Sequence, residues 1–223
     1  MERMKSLDVS TVAKSTLAAG ITAVLATLAL LGFFGGSGFL GGIGDLMDVL
    51  NSILVIPLFI LMGHLTRSRH QGLGRAVQTG GAAGALMRLA GAFLIFSQLM
   101  AFEDAVLLVN AGMGLMGMAL LIFLLAGRAQ LTLSRVYYGF SLIVGLAMAV
   151  NILGVFLYDA YAPLLQGEAG FADLNPLLLA LLVFAPVQIL GYPIWLLWTG
   201  RLLLKSPDRF MSPVSRPAVQ WQE

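Results

Sequence analysis

The sequence contains six long apolar segments, and only a few folds can accommodate them. A helix needs about 20 apolar residues to cross the ~30 Å hydrocarbon core of a bilayer, and each segment reaches that length. Within lipid every backbone N–H and C=O needs a partner inside the protein, which favours helices. The sequence therefore predicts an all-α polytopic membrane bundle of six transmembrane helices. The predicted spans are residues 12–34, 46–65, 80–102, 105–126, 136–157 and 176–204.

The composition agrees with a membrane location. Only 11% of the 223 residues are charged and 59% are hydrophobic, whereas soluble domains carry about 25% charged residues. The chain has no cysteine, which excludes disulfides, thiolate metal sites and cysteine nucleophiles. The pI near 9.2 does not indicate nucleic-acid binding, because the basic residues are placed at the ends of the apolar segments.

The distribution of lysine and arginine predicts the orientation in the membrane. Of the 13 lysines and arginines, all but Arg88 fall on one side of the predicted bundle. By the positive-inside rule this side is cytoplasmic, together with both termini. Residues 1–205 are predicted to form the transmembrane domain, and residues 206–223 a disordered cytoplasmic tail with three prolines. The bases on this side are Arg3, Lys5, Lys14, Arg67, Arg69, Arg75, Arg128, Arg135, Arg201, Lys205, Arg209 and Arg216.

Arg88 is the only basic residue predicted inside a span. With the inner edge of the hydrocarbon near Ala83, Arg88 would lie about 8 Å deep. No acidic residue is predicted at that depth, so Gln188 and the carbonyl of Ile189, which Pro193 would release, are the candidate partners. One interpretation is a side chain that extends to the headgroups. The other is an inward-facing arginine that binds a substrate anion or the released carbonyl. The first is favoured.

A layer of amides is the second candidate feature. Asn51, Gln98, Asn110 and Asn151 belong to four different predicted spans, each about 6–9 Å from the outer end. Hydrogen bonding between helices is the favoured interpretation. The alternative is an outward-facing polar cavity that attracts cations or polar solutes. Arg88, Gln188 and these four amides form the predicted intramembrane polar site.

No catalytic, cofactor or metal site is predicted. The two histidines, His64 and His70, are too few for a metal site, which usually needs three or four ligands. No serine has a histidine in a suitable position to form a nucleophile–base pair. The sequence GMGLMG at residues 112–117 has the glycine spacing of a dinucleotide-binding loop, but it lies inside an apolar span. Small residues there indicate close helix packing.

Two segments resemble those of a known protein family. DVLNSILVIPLFILM (48–62) and YPIWLLWTGRLLL (192–204) are similar to segments of a family of uncharacterised bacterial membrane proteins, classed only as a domain of unknown function. Members of that family have about this length and six predicted helices. The resemblance implies a multi-pass protein of the bacterial inner membrane. It implies no activity, so no functional residue carries over.

Two functional hypotheses follow from the sequence. The favoured one is a non-catalytic membrane protein with an accessory, sensing or structural role. The alternative is a transporter or binding protein for a small solute or ion, with an outward-facing polar cavity. The lipid bilayer is the predicted partner and nucleic acid is not. A membrane-protein partner, a homo-oligomer and the identity of any small ligand stay open.

Overall fold

The computed structural model describes residues 8–34, 36, 38–68, 70–128, 131–157 and 176–211. These residues are mostly helical, and six spans are long and apolar enough to cross a membrane. The predicted all-α bundle of six membrane helices is confirmed. Helices α5 and α6 together make the fifth span, Arg135–Phe156. The helices are α1 (Val9–Phe34), α2 (Gly38–Arg67), α3 (Gln71–Phe96), α4 (Phe102–Gly127), α5 (Arg135–Ala149), α6 (Asn151–Phe156), α7 (Pro176–Lys205) and α8 (Asp208–Met211).

The six spans form a closed ring in chain order. Each span packs on the next one, and α7 returns to pack on α1. Helix α2 also reaches α4 across the centre of the ring. One end of the bundle, here called the basic end, carries Arg67, Arg75, Arg128, Arg135 and Arg201 at helix termini. The other end, where α3 connects to α4, is called the opposite end.

Asp8 caps α1 at the basic end. Its carboxylate accepts hydrogen bonds from the Thr11 hydroxyl at 2.9 Å and from the Ser10 backbone N–H at 3.1 Å. These two bonds lower the pKa of the Asp8 carboxyl below its ordinary value. The bond from the Thr11 side chain has the larger effect and that from the Ser10 backbone the next. The cap therefore stays ionised at a lower pH than an isolated aspartate would.

Glycines allow the helices of the ring to approach closely. On the seam that closes the ring, a Cβ built on Gly20 would lie 2.7 Å from the side chain of Leu197, and one on Gly200 would lie 2.7 Å from that of Leu17. The glycines of GMGLMG have the same role on α4, facing α3, α5 and α6. The packing interpretation of that motif is thus confirmed, since small residues are what brings membrane helices together.

Hydroxyl groups of α1 donate to backbone carbonyls of the two proline-containing helices, α2 and α7. Pro193 cannot donate to the carbonyl of Ile189, and the hydroxyl of Thr27 donates to that carbonyl at 3.2 Å. On α2, the hydroxyl of Ser15 donates to the carbonyl of Leu54 at 2.7 Å, the neighbour of the Ile53 carbonyl that Pro57 leaves without its helical donor. Polar side chains of α1 therefore stabilise the proline-containing helices α2 and α7.

The third span occupies different residues from those predicted. Helix α3 runs from Gln71 to Phe96, whereas the hydropathy pattern predicts residues 80–102. Glycine and polar residues reduce the apolar signal at its start. Just beyond its end, Gln98 has a φ of 54°. The N–H of Gln98 donates to the carbonyl of Ile95, and the N–H of Leu99 donates to the carbonyl of Leu94. These bonds form a Schellman motif, which ends the helix.

The left-handed conformation of Gln98 leads to a stability prediction. A residue with a Cβ is strained there by about 1 kcal/mol, and glycine is not. We expect Gln98→Gly to raise the free energy of unfolding in detergent micelles by up to about 1 kcal/mol. Gln98→Val should lower it, because a branched side chain fits this conformation worst. Equal stability of the two variants would mean that this helix end does not adopt the Schellman geometry in solution.

The start of the predicted tail is ordered and folded onto the bundle. Residues 208–211 form α8, and Phe210 is only 6% exposed. Its ring lies 6.1 Å from that of Tyr137 in an edge-on arrangement. A disordered tail from residue 206 is therefore wrong for residues 206–211. The reason is that Phe210 buries its apolar ring against α5, while residues 212–223 lie outside the described part.

Candidate functional site

Arg88 lies in the interior of the bundle and is bound to α2. Its Nη2 donates to Asp48 Oδ1 at 2.6 Å, forming a salt bridge. Its Nη1 donates to Asn51 Oδ1 at 2.5 Å. The favoured prediction that Arg88 extends to the headgroups is therefore wrong, and so is the prediction that no acid lies at its depth. The guanidinium has a partner of opposite charge, as buried arginines generally require.

The observed helix boundaries explain this pairing. Arg88 lies eight residues before the end of α3 at Phe96, which is about 12 Å from the opposite end. Asp48 lies ten residues after the start of α2 at Gly38, which is about 15 Å from the same end. The two side chains are thus at similar depth. Asp48 and Asn51 are three residues apart, so both face α3 from the same side of α2.

Asn51 and Tyr192 extend the network to four helices. Asn51 Nδ2 donates to the carbonyl of Ala19 on α1 at 2.6 Å. Asn51 Oδ1 also accepts a hydrogen bond from the Tyr192 hydroxyl on α7 at 3.0 Å. Arg88 Cζ lies 5.4 Å from the centroid of the Tyr192 ring, within the range of a cation–π interaction. Helices α1, α2, α3 and α7 are therefore joined through one polar cluster, here called the Arg88 network.

The two charges of the network differ in their access to solvent. The Arg88 side chain is 7% exposed and the Asp48 side chain 36% exposed. Arg88 Nε is buried and makes no hydrogen bond to the described residues. Asp45 is half-buried one turn before Asp48, toward the opposite end. The arginine is thus the inner member of the pair, and carboxylates lie between it and the opposite end.

Asn151 and Gln188 form a second, separate polar contact. Asn151 Nδ2 donates to Gln188 Oε1 at 2.6 Å, joining α6 to α7. The same nitrogen lies 3.0 Å from the carbonyls of Ala147 and Met148, beside the interruption between α5 and α6. Gln188 thus bonds an amide and not Arg88, and Thr27 binds the carbonyl of Ile189. Neither of the partners predicted for Arg88 is the observed one.

The remaining two amides lie elsewhere. Asn110 on α4 is half-buried, and its Nδ2 would be 3.1 Å from a Cβ built on Gly154 of α6. Gln98 lies beyond the end of α3, where its side chain is exposed. The four amides predicted to form a layer therefore occupy separate sites, because helix rotation and helix ends decide which side chains meet.

Sequence reasoning missed two members of the network, Asp48 and Tyr192. The spacing of Asp48 and Asn51 was a usable signal, since i and i+3 positions share a helix face. A second signal was that an arginine inside a span needs a partner. Tyr192 had no comparable signal, because α7 meets α2 and α3 only through the closure of the ring.

The described residues contain no group of three or more His, Asp or Glu side chains placed to hold a metal ion. In comparisons with known proteins, no protein-family model, no curated protein and no solved structure matched this chain.

Proposed function

We propose that this chain is a non-catalytic integral membrane protein with an accessory, sensing or structural role, in which the Arg88 network fastens four helices together. One observation carries the proposal. Among the described residues, Arg88 is the arginine buried within the spans, and both of its terminal nitrogens donate to side chains of the same chain, Asp48 and Asn51. A guanidinium whose two terminal nitrogens already have protein partners is poorly placed to bind a substrate.

The geometry of the other polar groups supports this proposal. Asn51 contacts α1, α3 and α7, and Asn151 contacts Gln188 on α7. Polar side chains that bond each other across helices are a common means of helix association in membranes. Each contact is modest, about 0.6 kcal/mol on average, so the charged pair contributes the specificity of the arrangement.

The membrane and its orientation belong to the same proposal. We assign the chain to the bacterial inner membrane with both termini in the cytoplasm, as the positive-inside rule indicates. Membership of the uncharacterised bacterial membrane family also stays a proposal. It is supported by the similarity of residues 48–62 and 192–204.

A second candidate is a binding or transport protein for a small cation or polar solute. It is favoured by the exposure of Asp48, whose side chain is 36% exposed, while its partner Arg88 is buried. Asp45 adds a second carboxylate one turn nearer the opposite end. On this alternative, solvent enters from the opposite end and a solute displaces part of the Arg88 network.

Thiol labelling of single-cysteine variants separates the two candidates, because the chain has no native cysteine. Asn151→Cys is the test, Leu99→Cys at a site 72% exposed is the accessible control, and Met116→Cys at a fully buried site is the inert control. We expect position 151 to react with a membrane-impermeant thiol reagent as slowly as position 116. Labelling at a rate near that of position 99 would reveal a water-filled cavity and favour solute binding.

The accessible control also tests orientation. If both termini are cytoplasmic, Leu99→Cys at the opposite end labels in intact cells. Labelling at position 99 only after permeabilisation would reverse the proposed orientation, and the comparison of positions 151 and 116 would then be made in permeabilised cells.

A further inference from the structure

A cavity of about 540 Å³ lies at the basic end, along α7 and α8. Its lining divides into two parts. The apolar walls are Ile194, Leu197, Trp198 and Leu202, and the polar part consists of Ser206 and three basic residues, Arg201, Lys205 and Arg209. It is separate from the Arg88 network, none of whose members lines it.

Along α7 the lining changes from apolar to basic residues, as a membrane changes from its hydrocarbon core to its headgroup layer. Leu197 and Trp198 lie three and four residues after Ile194, and Arg201 and Lys205 continue the same spacing, so these residues occupy one face of the helix. Ile194, Leu197 and Trp198 come first, toward the bilayer centre, and the bases follow at the basic end, with Leu202 between Arg201 and Lys205. From Ile194 to Lys205 the face extends about 16 Å. A ligand that follows this face has an apolar part and an anionic part.

The third base is held in place by the fold. The backbone N–H of Thr132 donates to the carbonyl of Arg209 at 3.2 Å, and Phe210 packs beside Tyr137. Helix α8 is thereby fixed across the end of α7. Arg209 is presented beside Arg201 and Lys205, although it is distant from Arg201 by two helical turns in sequence.

The three cations have no ion-pair partner among the described residues. Their side chains are exposed at the mouth of the cavity. Grouping three like charges is unfavourable, and an anion bound between them would offset that repulsion. Basic pockets at the cytoplasmic ends of membrane helices are suited to anionic lipid headgroups.

We propose that this cavity is a binding site for one anionic phospholipid. The phosphate and headgroup lie among Arg201, Lys205 and Arg209, and an acyl chain lies against Trp198, Leu197 and Ile194. This site is independent of the proposed role of the Arg88 network and assigns the protein a specific lipid partner.

Lipid titration followed by native mass spectrometry tests the proposal. Purified protein is titrated with phosphatidylglycerol and, separately, with phosphatidylcholine, and the fraction carrying one lipid is measured. We expect the chain to bind phosphatidylglycerol at least about tenfold more tightly, since each base near an anionic headgroup adds affinity. The triple variant R201Q/K205Q/R209Q should lose this preference. A matched control, R75Q/R128Q/R135Q, removes three exposed bases from the same end and should keep it.

Three outcomes would overturn the proposal. The first is an equal affinity of the unmodified protein for the two lipids. The second is an equal loss in the triple variant and its control, which would mean attraction to the general charge of the basic end. The third is displacement of the lipid by millimolar glycerol phosphate, which would mean a site for a soluble phosphate anion. Should the triple variant fail to fold, the single variant R201Q and its control R75Q give the same comparison.

Discussion

Replacing Asp48 by leucine should lower the free energy of unfolding by about 3–5 kcal/mol, because it leaves the guanidinium of Arg88 buried without its counter-charge. Arg88 is 7% exposed, so water cannot replace the lost carboxylate. Arg88→Met should cost less, about 1–3 kcal/mol. It leaves Asp48, which is 36% exposed, able to be hydrated, and Asn51 keeps its bond from Tyr192.

The double variant D48L/R88M should be more stable than D48L alone. Replacing both members of a buried pair by apolar groups is often neutral or stabilising. The measurement is the free energy of unfolding in mixed micelles for the four proteins of a double-mutant cycle. Additive effects of D48L and R88M would show that the two residues do not pair. A double variant that folds but has lost a solute affinity present in the unmodified protein would favour the second candidate function.

Gly84→Ala should destabilise the seam between α3 and α4 by about 1–3 kcal/mol. A Cβ at position 84 would lie 2.6 Å from the carbonyl oxygen of Gly112 and 2.9 Å from the backbone nitrogen of Met116. Both atoms belong to the backbone of α4, so the added methyl group can be accommodated only if the two helices move apart. That movement would also weaken the packing near Arg88, since a Cβ at Gly112 would contact the backbone of Arg88.

Gly80→Ala is the matched control on the same helix. A Cβ at position 80 meets no atom within 4 Å, and alanine is the better helix former by about 1 kcal/mol. This variant should be as stable as the unmodified protein or more so. Thermal unfolding of both variants in the same detergent gives the comparison. Equal stability of the two would contradict the close approach of α3 and α4 at Gly84.

The sequence alone was sufficient for the class of fold. The requirement for backbone hydrogen bonds in lipid converts apolar length into helices, and the six predicted spans correspond to six observed ones. The role of GMGLMG in packing also followed from local chemistry. Boundaries were less predictable. Helix α3 begins at Gln71 because its first turns, at the basic end, need no continuous apolar run, and it ends at Phe96 because Gln98 adopts a left-handed conformation.

The composition of the polar site was only half predictable. Arg88 and Asn51 stood out as polar groups inside apolar segments, and they do meet. Gln188 and Asn151 also meet, but apart from Arg88. Sequence distance from a span end gives depth along the membrane and does not give the direction in which a side chain points around the helix. Gln98, Asn110 and Asn151 share a predicted depth with Asn51 and none of them joins its network.

The sequence by itself determined that the chain is an all-helical membrane bundle with the described basic residues of its helix ends gathered on one side, because these properties depend on composition and on order along the chain. The tertiary structure decided which polar groups pair. Closure of the ring brings Tyr192 of α7 to Asn51 of α2, and the packing of α2 on α3 brings Asp48 to Arg88. Rotation of each helix about its axis is set by contacts between distant segments, and no local pattern encodes it.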